Sequence, residues 1–171
     1  MHTKTPLKIE LPDELIQQYK EALVGLSDLR LIILLVFNSF EEIMKSFAAW
    51  RLSCQVDDLP SFLQNSASML CEVILIGPAA KDLRSKTQSL RELRNKIAHD
   101  FHRDEYDPKL KDFVKKILKK PHLNSEAEKR TAIVEAVFSL VLDIASYIDD
   151  MPERGEWPFP LLSLELRVHT K

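Results

Sequence analysis

The segment Leu90-Arg91-Glu92-Leu93-Arg94-Asn95-Lys96-Ile97-Ala98-His99-Asp100-Phe101-His102 holds the densest set of groups able to do chemistry. An arginine near a histidine suits phosphodiester chemistry. The guanidinium stabilises charge developing on phosphorus, and the imidazole moves a proton near neutral pH. On RNA this pair needs no metal, because the 2′-hydroxyl is an internal nucleophile and base, acid and cation suffice. Helical spacing places Glu92, Asn95 and His99 on one side. Arg94 precedes His99 by five residues, about 140° around an ideal helix. The two therefore converge only where the helix ends or bends near His99, or where a second chain joins the site. A plainer reading stays open: Arg94 pairs with Glu92, Asp100 or another acid, and His99 closes a helix C-terminus, where its charged form meets the dipole favourably.

Charge is segregated around this segment. The whole chain carries a net charge of -2, yet Lys81 to Arg130 holds fifteen Lys and Arg against nine Asp and Glu, a net of +6. Such asymmetry can make a basic surface for a polyanion. Lys115, Lys116, Lys119 and Lys120 are equally consistent with a solvated helix face. His102 is a candidate extension of the site, whereas His2, His122 and His169 are scattered and lack metal-ligand spacing. Cys54 and Cys71 form no CxxC pattern and read as reduced packing residues of a cytoplasmic protein. No Walker, Rossmann, GxSxG or HExxH pattern occurs.

These groups must be positioned by helices. The chain has 171 residues, enough for one domain with a core, and only three glycines, which argues against a phosphate loop or a hairpin-rich β fold. Its longest apolar run, Leu31 to Phe37, is far short of a membrane span, and the N-terminus has no signal core. Pro12-Asp13-Glu14 starts a short helix ending near Gly25. Ser27-Asp28 opens a long one, apolar all round in its first half and polar-striped by Asn38, Glu41, Glu42 and Lys45 in its second. A helix from about Ser61 to Ile76 ends at Gly77-Pro78, and another runs from about Lys81 to His99 on a seam of Leu83, Leu90, Leu93 and Ile97. Asp107-Pro108 restarts a basic helix through Leu118. Ser125 and Glu128 form a capping box for a last helix to about Ile148, apolar over most of its circumference. The expectation is an all-α, up-and-down bundle of five to six helices in a single domain. Residues 1–26 form an N-terminal helix and linker, 27–150 the bundle, and 151–171 an extended arm set by the prolines around Trp157 and Phe159. The broad apolar face of the last helix favours dimerisation.

Arg94-Asn95-Lys96-Ile97-Ala98-His99 resembles the arginine, four residues, histidine motif of the HEPN superfamily, including the polar residue directly after the arginine. Over about residues 27–118 the order of a long helix with Asn38 and Glu41-Glu42, the stretch Ile76-Gly77-Pro78-Ala79-Ala80, the motif and an Asp-Pro restart is similar to the mannitol operon repressor-like branch. The resemblance implies an all-α homodimer without metal or cofactor, cleaving RNA as a toxin–antitoxin or defence endoribonuclease. Arg94 would act on the scissile phosphate and His99 in acid–base work. Asn95 would orient the histidine or bind phosphate, Lys96, Arg91 and His102 would bind substrate, and an antitoxin or regulatory protein would be a partner. Some toxin members carry a modifiable tyrosine where this chain has Phe101, so neutralisation by that route is not implied. The repressor-like branch implies instead a non-catalytic regulator or interaction module, although no helix-turn-helix recognition pattern is evident.

Overall fold

The computed structural model describes residues 13–52, 54–99, 103–119 and 122–154. They form an all-α fold, with no strand among the described residues. The helices are α1 Asp13–Val24, α2 Leu29–Leu52, α3 Ser61–Gln64, α4 Ala67–Ile74, α5 Lys81–His99, α6 Arg103–Leu118 and α7 Glu126–Arg154, with single 3-10 turns at Val56–Asp58 and Pro78–Ala80. This exceeds the expected five to six because the helix expected over 61–76 is cut in two. Asn65 turns its side-chain amide back to the Ser61 carbonyl at 2.9 Å, and the Ser66 hydroxyl accepts the Met69 N–H at 3.4 Å, capping a new helix. Such local side-chain bonds compete with helix continuation.

Two other boundaries move. Asp107-Pro108 does not restart α6, which begins at Arg103 and carries Pro108 inside it. At the sixth helical position the proline removes only one early hydrogen bond, since the first four N–H groups have no intrahelical acceptor. The last helix extends past Ile148 to Arg154, so the expected arm loses its first four residues to α7, and 155–171 lies outside the described residues.

Helix ends are closed by side chains. Asp28 accepts the Arg30 N–H at 2.9 Å at the start of α2. At α7, Glu128 N–H donates to Ser125 Oγ and Ser125 N–H to Glu128 Oε2, both at 3.1 Å, which is the capping box read from the sequence. Three arginines bind carbonyls from a distance: Arg30 takes Ile97 O, Arg84 takes Leu75 O and Gly77 O, and Arg130 takes Leu26 O and Ser27 O. Gly77, at φ 82°, turns the chain into Pro78 in a conformation that side chains disfavour.

The core lies between α2, α4, α5, α6 and α7. Ile32, Ile33, Phe40, Met44 and Phe47 of α2 are fully buried against Leu70 and Ile74 of α4, Leu90 and Leu93 of α5, and Phe113 of α6. The four seam residues expected for α5 are all buried. Pairs along the helices set their directions. Arg30 meets Ile97 and Arg94 meets Phe37, so α2 and α5 are antiparallel. Glu92 meets Lys109 and Ser89 meets Lys116, so α5 and α6 are antiparallel as well. Lys129 lies 2.5 Å from Asp107, bringing the starts of α6 and α7 together. Helix α7 is long and apolar enough to cross a membrane, but 61% of that stretch is buried inside the fold, where it serves as the bundle's central element. The apolar first half of α2 is not wholly buried: Leu31 is 43% and Leu35 36% exposed.

Candidate functional site

Helix α5 has Asp82 in its first turn and Lys96 and His99 in its last, a charge order that complements the helix dipole. Arg30 closes its C-terminal end through the Ile97 carbonyl at 3.2 Å, one of the four carbonyls a helix leaves without internal partners. The helix runs without interruption through His99. The helix ends at His99, as expected, but both residues lie within its helical span, so this ending does not by itself draw the Arg94 and His99 side chains together within one chain. On this continuous helix the two side chains leave about 140° apart and about 7.5 Å along the axis.

They nevertheless border the same open surface. Helix α2 covers one flank of α5 and α6 the other, leaving an exposed strip with Ala98 and Asn95 on it. Successive 100° steps give the order Arg94, Ala98, Asn95, His99 around the helix. Arg94 stands at the α2 edge. His99 projects within about 20° of Glu92, which pairs with Lys109 of α6 at 2.8 Å, and so stands toward the α6 edge. His99 is exposed and makes no hydrogen bond or ion pair among the described residues.

Arg94 is half-buried, with its guanidinium over the Phe37 ring, 5.5 Å from the centroid. Nη1 donates to Asn95 Oδ1 at 3.3 Å, while Nε is buried without a hydrogen-bond partner. A guanidinium has five N–H donors. Only one is used among the described residues, so charge and donors remain for an incoming anion. One turn beyond Phe37 sits Glu41. Burial pushes its carboxyl above the ordinary carboxylate range, opposed by the positive charges of Arg94, Lys45 and Arg91, with Arg94 the strongest of them. Arg94 thus lies on an aromatic face of α2, with the half-buried Glu41 carboxyl within electrostatic reach, and makes no ion pair with Glu92 of its own segment.

The other sequence candidates divide. Asn95 is exposed on the strip and orients Arg94. Arg91 is turned toward α4, donating from Nη1 to Ser68 Oγ at 2.9 Å and to Gln88 Oε1 at 3.0 Å, a position that ties α4 to α5. Lys96 is half-buried in the last turn. His102 and Phe101 lie outside the described residues. Sequence reading missed Phe37 and Glu41 as partners of Arg94, and Arg30 as the clamp on the end of α5. The polar stripe of α2 that contains Glu41 was the available signal, but its facing toward α5 follows only from the packing. His122 is exposed, Trp50 packs against the core, and both cysteines are free, Cys71 buried and Cys54 half-buried. Among the described residues no group of three His, Cys, Asp or Glu side chains is disposed to hold a metal ion. Compared with protein-family models, curated proteins and solved structures, the chain matches none.

Proposed function

We propose that this chain is a HEPN-like, metal-independent endoribonuclease whose site is assembled by two copies across the exposed strip of α5. The observation that carries the reading is the strip itself: a largely uncommitted guanidinium on one edge and a free imidazole on the other, on a helix too straight to join them. A two-fold axis running along α5 sets the Arg94 edge of one copy against the His99 edge of the other, with the same patch used on both partners. Exposed Leu31 and Leu35, on the neighbouring face of α2, supply apolar area beside it.

In that arrangement the 2′-hydroxyl oxygen attacks phosphorus and gives its proton to one His99 imidazole. Arg94 binds the non-bridging oxygens, whose charge grows in the transition state. The 5′-oxygen leaves with a proton from solvent water, to which the imidazolium then returns its own, giving a 2′,3′-cyclic phosphate and a 5′-hydroxyl. The test is cleavage of single-stranded RNA in EDTA. Cyclic phosphate ends, lost in His99→Ala with the melting temperature kept, are the expected result. Intact RNA at high wild-type protein concentration overturns the reading.

A specific observation favours a second reading, a non-catalytic regulatory or interaction module of the mannitol repressor-like kind. Arg94 stacks on Phe37 beside Glu41, where it joins α2 to α5. Under that reading Arg94→Ala lowers the melting temperature or dissociates the dimer, and no variant alters RNA.

A further inference from the structure

The other flank of α5 carries a groove of its own. Ser89 and Glu92 of α5, with Lys109, Asp112, Lys115 and Lys116 of α6, line an open hollow of ≈ 470 Å³. Lys109 is committed to Glu92 at 2.8 Å, and Lys116 rests on the Ser89 hydroxyl at 2.6 Å. Neither Lys115 nor Lys116 has a carboxylate within ion-pair distance among the described residues, although Asp112 stands on the same wall. The hollow therefore keeps ammonium charge that the protein itself does not neutralise. Its floor also has a direction. Ser89, Glu92, Lys96 and His99 follow one another at three- and four-residue steps, so they form one stripe of α5, and His99 lies about 10 Å beyond Glu92 along it.

From this placement we infer that the α5–α6 groove binds the sugar–phosphate backbone of a single-stranded nucleic acid and leads the strand to His99; that the strand is RNA, cut there, rests on the nuclease reading above. Lysine ammoniums are flexible point charges without the fork that reads a base edge, so the contact is with phosphate and is indifferent to sequence. Glu92 and Asp112 act against it. Glu92, whose carboxyl the Lys109 hydrogen bond holds below the usual range, is the nearer brake on anion entry because it also occupies Lys109.

A fluorescent deoxyoligonucleotide of about ten nucleotides tests binding apart from cleavage, since it lacks the 2′-hydroxyl. Wild-type protein is titrated into it over a salt series and compared with the double variant Lys115→Gln, Lys116→Gln. Each lost phosphate contact removes roughly 0.7 from the slope of log affinity against log salt, so the double variant is expected to lose about 1.4 and to bind roughly ten-fold more weakly near physiological salt. Glu92→Gln is expected to bind more tightly, and Lys20→Gln on α1 within two-fold of wild type, roughly, because it leaves the groove untouched. Both altered lysines are exposed, and an unchanged circular dichroism melt confirms folding. No binding by wild type at low salt, or equal affinity and slope in the double variant, overturns the inference. Binding lost in the double variant, with wild type leaving RNA intact, sinks the nuclease reading and leaves the groove. RNA cutting with unchanged binding in the double variant does the reverse.

Discussion

Replacing Arg94 by methionine removes the guanidinium while keeping a long apolar stem, and the structure says what that should do. The cation sits 5.5 Å from the Phe37 centroid in a half-buried place, where such a contact contributes about 1 kcal/mol. The hydrogen bond to Asn95, at 3.3 Å and exposed, adds about 0.5 kcal/mol at most. Against these stands the buried Nε without a partner, whose removal relieves a cost of about 1 kcal/mol or more. The net change in stability is therefore small, and the diagnostic quantity is the coupling to Phe37. In a double-mutant cycle with Phe37→Leu, read by urea unfolding, the expected coupling is about 1 kcal/mol, well above the roughly 0.3 kcal/mol scatter of independent sites. A second signature is pH dependence. Because Glu41 titrates above its ordinary 4.5, the folded state holds an extra proton between the two values, and stability falls as pH rises through that window. Losing Arg94, the strongest charge opposing the shift, should steepen that fall. Coupling near zero together with an unchanged pH profile would refute the packing account of Arg94.

Other consequences are equally open to measurement. Asp107, opposed by its own burial, is held below the usual carboxylate range by hydrogen bonds from Lys111 and Lys129. Its contribution is present above 3.8 and is lost as pH falls through the lowered value, so Asp107→Asn should cost about 1 to 3 kcal/mol at pH 7 and progressively less in acid. Leu93, flanked by Glu92 and Arg94 in sequence but fully buried, should cost about 2 to 5 kcal/mol as alanine in a thermal melt. Burial pushes the Cys71 thiol up to about 12, so mass spectrometry after alkylation at mildly basic pH should find Cys71 unmodified until the protein is unfolded. Modification of native Cys71 as fast as a free thiol would contradict its placement.

The parts of this fold legible in sequence are those that depend on neighbours within a turn or two. The Leu83, Leu90, Leu93 and Ile97 seam and the Ser125–Glu128 box are where the local sequence pattern puts them. The division at Asn65-Ser66 is equally local and its residue types carry a signal, which the reading of one helix from Ser61 to Ile76 passed over. Pro108 misled because proline favours a first turn, whereas the buried Tyr106 and the carboxyl of Asp107, clamped by two lysines, sit in a turn that began earlier. The candidate site was half legible. The motif names Arg94 and His99, but what holds Arg94 comes from Phe37 and Glu41, more than fifty residues away, and the clamp on the helix end from Arg30, at a separation of 67. No local pattern encodes contacts of that range.

The central claim, that two copies complete one site across the exposed strip of α5, is tested most directly by mixing two dead variants. Arg94→Ala and His99→Ala chains are co-expressed, purified together and incubated with single-stranded RNA in EDTA. Each variant alone should leave RNA intact while keeping its fold, and the mixture should recover cleavage, because Arg94 of one copy then meets His99 of the other. A folded, dimeric mixture as silent as its parents, beside an active wild type, would contradict the claim.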